Sequence, residues 1–461
     1  MSMRKKNSGN SKSKLLIPAK TQSRRVAVLV LGDIGQSPRM QYHALSLAQA
    51  GHFVDFIGYD GAKPMNQVLS SPNIKLRHIR ALPRPTSAPR AAFYLYALFK
   101  VLYQIVMLLW LFLFVIPTPN YIIVQNPPAI PTLAVARASA FMTGAKLIID
   151  WHNYGYTILA MSLGDGHPIV SVAKWIELLF GAKAYAHLCV TSAMAADLRD
   201  NWKIGGKIVV LHDKAPKHFR RLTASEMHKP ANVNTTDISN ISNSGNNEES
   251  LLTYRKADGT VDMRKKRPML IVSTTSWTAD EDFSVLLKAL VLYDTVATQI
   301  NNSIEDNSNR EALPSLAVLI TGKGPLRAYY EEEISRLQLC TVRIATAWLS
   351  AEDYPLVLGS ADLGVSLHTS SSGLDLPMKV VDMLGCGTPV CAYEFPCIGE
   401  LVTADNGMVF CSAAELAQQI QDLAGQLDSR GSAYQRLLQG AAAFRQIDWN
   451  TNYKCVLELL R

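Results

Sequence analysis

The run AAFYLYALFKVLYQIVMLLWLFLFVIP, Ala91 to Pro117, is interrupted only by Lys100 and Gln104. By length and composition it qualifies to cross a bilayer. Its neighbours forbid the simple form of that reading. RVAVLVLG (Arg25–Gly32) and YIIVQNPP (Tyr121–Pro128) both read as buried strands. If the two strands share one sheet, a helix between them cannot cross a membrane an odd number of times. From Val101 to Ile116 there are 16 residues, roughly 24 Å of helix against about 30 Å of hydrocarbon. The expectation is a membrane-embedded, non-spanning helix with Phe93, Tyr94, Tyr96, Tyr103 and Trp110 at the interface. A buried core helix is the alternative.

Around this segment, apolar strand runs alternate with helical patterns. RVAVLVLG, HFVDFIGY, AKLIIDWHN, HLCVTSAM and KIVVLHD form a first series, and PMLIVSTTSW, SLAVLITGKGP, TVRIATAWL, DLGVSLHTS and GTPVCAYEF a second. Continuous apolar strands between helices predict parallel sheets covered on both faces. The expected fold class is α/β, with two Rossmann-like α/β/α domains facing a cleft and ligands at the strands' C-terminal ends. A length of 461 residues suits two domains. We place them at 26–225 and 267–461, the latter including the terminal helices. An Asn/Ser-rich linker at 226–266 separates them.

Net charge is +8, from 46 basic and 38 acidic residues. The excess is concentrated in residues 1–25, which hold eight cations and no acid. That tail reads as solvated or as attracted to anionic lipid. Nucleic acid is excluded as a partner because no aromatic-interleaved basic motif follows. Seven cysteines lack any Cys-x-x-Cys pair, which favours reduced thiols in the cytosol over disulfides or zinc. No signal peptide is expected, since the first apolar run is a strand.

Chemistry concentrates in a few loops. SSSGLDLPMKVVD (Ser370–Asp382) follows a strand and opens a helix. Ser370, Ser371, Ser372 and Gly373 stand before a positive helix end, an anion site by geometry. Asp375, Lys379 and Asp382 share one helical face if the helix starts at Asp375. Asp375 as an ordinary cap with a surface lysine is the bland alternative. TGKGP (Thr321–Pro325) lets backbone approach a ligand closely at Gly322 and Gly324, and it is not a Walker A motif. GDIGQSPRM supplies Gly32, Asp33, Gly35 and Arg39 at the end of the first strand but lacks the dinucleotide glycine pattern. His152, in IDWHNYGY, is a candidate general base, acid or phosphate partner. The acids of ADED (Ala279–Asp282) read as helix capping, and no catalytic metal is expected.

The tandem halves, TGKGP and VVDMLGCGTPV resemble GT-B-fold glycosyltransferases. GDIGQSPRMQYHALSLA, QNPPAIP, IDWHNYGYTIL, STTSWTADEDF, ITGKGPLRAYYEE and WLSAEDYPLVLGSADLGVSLHTSSSGLDLPMKVVDMLGCGTPVCA are similar to the chitobiosyldiphosphodolichol β-mannosyltransferase family. The likeness covers nearly the whole chain apart from the tail and the insert. It implies GDP-mannose as donor and dolichyl-diphosphate chitobiose as acceptor. It also implies an inverting transfer giving a β1,4 linkage, the first mannose step of lipid-linked oligosaccharide assembly for N-glycosylation. The location implied is the cytosolic face of the endoplasmic reticulum membrane, with other lipid-linked oligosaccharide transferases as candidate partners. Related transferases carry Glu-x7-Glu in the donor site. Here Asp382 matches the second acid and Leu374, beside Asp375, stands at the first position.

On this resemblance the site residues divide by role. Asp33 or His152 takes the acceptor proton. Lys379 and the Ser370–Gly373 turn receive the leaving diphosphate. Asp382 holds ribose hydroxyls, Gly322 and Gly324 approach the nucleotide, and Gly32, Gly35 and Arg39 line the acceptor side. A non-catalytic nucleotide-sugar-binding subunit would keep Lys379 and Asp382 but need no base. An NAD-dependent oxidoreductase is disfavoured by the missing glycine fingerprint.

Overall fold

The computed structural model describes residues 22–83, 90–228, 250–278, 280–304, 312–427 and 432–461. The basic tail up to residue 21 and most of the Asn/Ser-rich insert lie outside the described residues, as do the side chains of Phe93 and Tyr94.

The first sheet has seven parallel strands in the order β3-β2-β1-β4-β5-β6-β7. They are β1 (Arg25–Asp33), β2 (Phe53–Tyr59), β3 (Ile74–Ile79), β4 (Tyr121–Asn126), β5 (Lys146–Trp151), β6 (Lys183–Cys189) and β7 (Gly205–Val210). A short antiparallel hairpin follows, β8 (Thr253–Arg255) with β9 (Val261–Met263), so the expected linker ends in ordered structure. The second sheet runs β12-β11-β10-β13-β14-β15. Its strands are β10 (Met269–Thr274), β11 (Leu316–Thr321), β12 (Val342–Ala347), β13 (Leu363–Ser366), β14 (Val390–Tyr393) and β15 (Gly407–Phe410). In both sheets the order reverses beside the first strand, and a crevice opens there at the C-terminal edge.

The 91–117 segment is a helix, Arg90–Trp110, prolonged by a π-helical turn, Leu111–Val115. It is the crossover from β3 to β4, and β1 pairs directly with β4, Val26 opposite Tyr121. Both flanking strands therefore belong to one sheet, and the helix cannot be a single span. One side of it packs on the sheet through Leu108, Leu111 and Phe112, and buried Gln104 donates to the Tyr59 hydroxyl at 2.6 Å. The other side exposes Leu95, Phe99, Val106 and Phe114.

The expected domain limits need two corrections. The chain crosses to the second domain before residue 225. Phe219 already packs among second-domain core residues, and Leu222 donates its N–H to Gly359 O at 3.0 Å. At the other end, helix Ala433–Phe444 packs on the second domain, but Trp449, Tyr453, Val456 and Leu459 return to the first-domain core. Trp449 Nε1 donates to Ser46 Oγ at 2.9 Å. These large apolar side chains complete the face of the first sheet covered by helix Pro38–Gln49, a burial that sequence order alone did not reveal.

Candidate active site

On the second-domain side, Lys379 lies in the first turn of helix Met378–Gly385. The helix starts later than expected because Pro377 takes extended backbone (ψ 117°). Asp375 therefore precedes the helix and is neither its cap nor a partner of Lys379. Ser370 Oγ donates to Asp375 Oδ1 instead. Lys379 Nζ donates to Glu281 Oε1 at 2.6 Å and to Ser276 Oγ at 3.1 Å. An ammonium has three donors, and among the described residues two are taken, which leaves one for a ligand. Glu281 is 2% exposed and also accepts from Ser276 N at 2.7 Å. It is thus the buried counter-ion of Lys379, not the cap that its place in ADED suggested.

Asp382, one turn further on, accepts from Tyr354 Oη at 3.4 Å. Burial pushes its carboxyl up to about 7, against the Tyr354 hydrogen bond. The charge of Asp382 is felt by Tyr42 and Asp213 on the opposite domain. Asp375, Lys379 and Asp382 therefore form three separate contacts.

Gly322 and Gly324 are required, but for a different close approach. A Cβ at Gly322 would lie 1.9 Å from Thr275 O and one at Gly324 1.7 Å from Ser276 O. The two glycines let the loop after β11 press on the loop after β10, and so fix Ser276 beside Lys379. Gly373 takes φ 71°, the left-handed region that favours glycine. It turns the serine loop toward the other domain. Ser371 Oγ meets Asn153 Nδ2 at 3.1 Å and Thr157 Oγ1 at 3.2 Å. Ser372 Oγ accepts from Leu374 N at 3.2 Å. Of the three serine hydroxyls, that of Ser371 bridges the cleft, while those of Ser370 and Ser372 bond within their own loop. Thr191 Oγ1 adds a bond to Leu374 O at 2.6 Å. Glu400 accepts the Ser192 and Ala193 N–H groups at 2.7 and 2.8 Å, at the start of helix Ser192–Asp200.

On the first-domain side, Asp33 has both carboxylate oxygens engaged by backbone. Gly35 N donates to Oδ1 and Ala62 N to Oδ2, each at 2.8 Å. Gly35 sits so near Ala62 that a Cβ would lie 2.1 Å from its carbonyl. Gly32 lies in the irregular end of β1, between Leu29 and Asp33, where the register with β2 shifts. Arg39 does not line an acceptor surface. It is 5% exposed and donates Nε and Nη2 to the two oxygens of Asp150, both at 2.8 Å, and Nη1 to Asp213 at 2.8 Å.

Asp150 organises this half of the cleft. It is fully buried at the C-terminal end of β5. Its Oδ2 meets His43 Nε2 at 3.0 Å and His152 Nε2 at 2.7 Å. Burial opposes its ionisation, but Arg39, His152 and His43 outweigh that and hold the carboxyl well below the usual range. Burial keeps His43 below its ordinary value, hence neutral. Its Nε2–H donates to Asp150 and its Nδ1 accepts from Tyr453 Oη at 2.9 Å. His152 is 23% exposed. With Nε2–H donated to a carboxylate, its Nδ1 carries the lone pair, the arrangement of an oriented general base.

Residues 293–426 match the family model for "Glycosyl transferases group 1". A human chitobiosyldiphosphodolichol beta-mannosyltransferase is 42% identical over 443 residues, covering 94% of this chain and 91% of that protein. The namesake from Dictyostelium discoideum is 43% identical, covering 87% and 84%. The chain belongs to the chitobiosyldiphosphodolichol β-mannosyltransferase family. "UDP-glycosyltransferase TURAN" of Arabidopsis thaliana is similarly alike, at 46% identity over 86% of this chain and 88% of that protein. Among solved structures, Anabaena HepE in complex with UDP-glucose superposes with a TM-score of 0.60 at 15% identity, covering 95% of this chain and 99% of that one. The sucrose-phosphate synthase of Thermosynechococcus elongatus gives 0.61 at 12%, covering 95% and 98%. These likenesses confirm the two-domain α/β architecture expected from the strand series and the GT-B fold that the resemblance implied. Within this glycosyltransferase family, the two halves described above face one cleft.

Proposed function

We propose that this enzyme transfers mannose from GDP-mannose to dolichyl-diphosphate chitobiose by a single inverting displacement that gives a β1,4 linkage. The observation that carries this reading is the pairing across one cleft of an oriented imidazole, His152, with a lone lysine, Lys379. The relatives' names supply the substrate class. The acceptor hydroxyl loses its proton to His152 Nδ1 as it attacks the anomeric carbon, and the sugar–phosphate bond breaks on the opposite side. The third donor of Lys379, the backbone N–H groups of Ser371 and Ser372 and the helix start at Met378 receive the charge developing on the departing GDP. Asp382 serves the nucleotide's ribose. We take His152 over Asp33 as base because Asp33 is bound by two backbone amides, while Asp150 orients His152. The contacts of Ser371, Thr191 and Glu400 close the domains and exclude water.

We place the enzyme on the cytosolic face of the endoplasmic reticulum, seated on the membrane by the exposed side of Arg90–Val115, with the other lipid-linked oligosaccharide transferases as neighbours. Lys379 supplies the charge neutralisation, so turnover should survive EDTA. The test is purified protein with GDP-mannose and a short-chain lipid-diphosphate chitobiose, with analysis of the product linkage. One β1,4-linked mannose per acceptor is expected. Donor binding without any mannosylated lipid would instead identify a nucleotide-sugar-binding subunit.

A further inference from the structure

The helix layer that carries Arg90–Val115 holds a second apolar face. Helices Gly155–Leu163 and Pro168–Gly181 follow β5 and pack against each other. The outward side of such a pair in a water-soluble domain is polar. Here Ile169, Val172, Trp175 and Leu179 recur at intervals of three, three and four residues, one stripe of a helix, and all are exposed. Val172 is 53% and Trp175 61% exposed, and Ile158 and Met161 extend the face onto the partner helix. Scattered exposed apolar residues need no explanation, but a continuous patch marks an interaction surface.

Three observations say what covers it. First, the patch continues the face of Arg90–Trp110, because helix Thr132–Thr143 packs against both that helix and Pro168–Gly181, and its Phe141 is 89% exposed. Second, its charges suit an interface with lipid. Lys174 is exposed with its ammonium 5.0 Å over the Tyr156 ring, able to reach headgroups. Asp165 lies in the connecting turn, and Glu177 is fully buried. Third, Glu177 joins this pair to the catalytic loop. It accepts from Gly155 N at 2.9 Å, Tyr156 N at 3.2 Å and Asn126 Nδ2 at 2.5 Å. Asn126 O in turn accepts the backbone N–H of His152 at 2.8 Å.

We propose that the helix pair 155–181 is a second bilayer-seating surface, lying in the boundary between headgroups and hydrocarbon. It holds the His152 loop at the height where a membrane-borne diphosphate acceptor emerges. The proposal rests on the membrane seating of Arg90–Val115 given above. Glu177 is the positioning residue that ties the seat to the loop.

The experiment uses the full chain carrying Val172→Glu/Trp175→Glu, two exposed positions away from the cleft, with Val172→Leu/Trp175→Phe as the conservative control. Each protein is floated with phosphatidylcholine–phosphatidylserine vesicles. Each is assayed on a long-chain acceptor in those vesicles and on a short-chain acceptor in detergent. The acidic pair should lose about tenfold or more of its vesicle turnover while detergent turnover stays within about twofold, and the control should match wild type in both. Unchanged vesicle turnover overturns the proposal, and so does an equal loss in detergent. A wild-type dimer that the acidic pair splits, with vesicle turnover intact, would make the face a protein interface and also overturn it. Wild-type protein that never floats would instead sink the membrane reading of Arg90–Val115, and this proposal with it.

Discussion

Lys379 Nζ stands 2.6 Å from Glu281 Oε1, so the one lysine of the donor loop is held by a carboxylate from the loop after β10. The pair fixes where the cation stands before any ligand arrives. Lys379→Met should lower turnover by about 10²–10³-fold. It should also lower the melting temperature, because a buried carboxylate left without its partner costs about 3 kcal/mol. Adding Glu281→Gln should restore most of the stability and none of the turnover. A Lys379→Met enzyme retaining more than about a tenth of wild-type kcat would remove the lysine from the leaving-group role.

The base assignment separates two residues by their partners. His152→Gln should cut kcat by about 10²–10⁴-fold with GDP affinity unchanged by calorimetry. Asp33→Asn keeps one oxygen to accept a backbone N–H and should cost about 1 kcal/mol of stability, with turnover within about tenfold. The reverse ranking of the two variants would transfer the proton to Asp33.

Asp150 should behave as a positioning group. Asp150→Asn leaves Arg39 buried with half of its ion pairing, a loss of about 3–5 kcal/mol. Because Asp150 accepts the Nε2–H that fixes the tautomer of His152, kcat should also fall, by about 10²–10⁴-fold, with donor affinity unchanged. An unchanged kcat in a folded variant would restrict Asp150 to the fold.

The burial of Asp382 carries a sign that can be measured. Its folded value of about 7 exceeds the ordinary 3.8, so between those values the unfolded chain gives up the proton first. Stability should therefore fall as pH rises from about 4 to about 7, by about 4 kcal/mol from this group, and then level off. Asp382→Asn should melt higher than wild type at pH 8 and the same at pH 3.5. Equal gains at both pH values would show that the cost is steric and not ionic.

Glu400 reports on domain closure. It is held below its ordinary value because the Ser192 N–H, His212 and the Ala193 N–H outweigh the opposing effect of burial. Its contribution is present above about pH 4.5 and lost as pH falls through the lower folded value. Glu400→Gln should weaken closure by about 1–2 kcal/mol, seen as a larger radius of gyration by small-angle scattering. The donor KM should rise while kcat stays within about twofold. A scattering curve identical to wild type would count against the latch.

Much of this was legible in the chain. The apolar runs that became β1, β4, β10 and β11 are long and uninterrupted, so the two-sheet plan followed from local pattern. His152 and Lys379 stood out because each ends a strand or opens a helix. Asp150 was missed although IIDWH places a carboxylate inside a buried strand, where only a buried cation can stabilise it, and Arg39 was read as facing the acceptor for the same reason. Glu281 looked like a cap because its partner is almost a hundred residues away. The exposed stripe of Pro168–Gly181 was invisible because the same spacing serves an inward face, and only the packing decides which face is covered.

The return of the chain to the first domain has a consequence for biosynthesis. Tyr453 supplies the hydroxyl that His43 accepts, and His43 in turn holds Asp150 beside His152. The surroundings of Asp150 and His152 are therefore assembled from residues 410 positions apart in the chain. A chain truncated shortly before Trp449 carries every strand of both sheets and lacks the hydroxyl that holds His43. Competence is withheld until the chain has passed Tyr453.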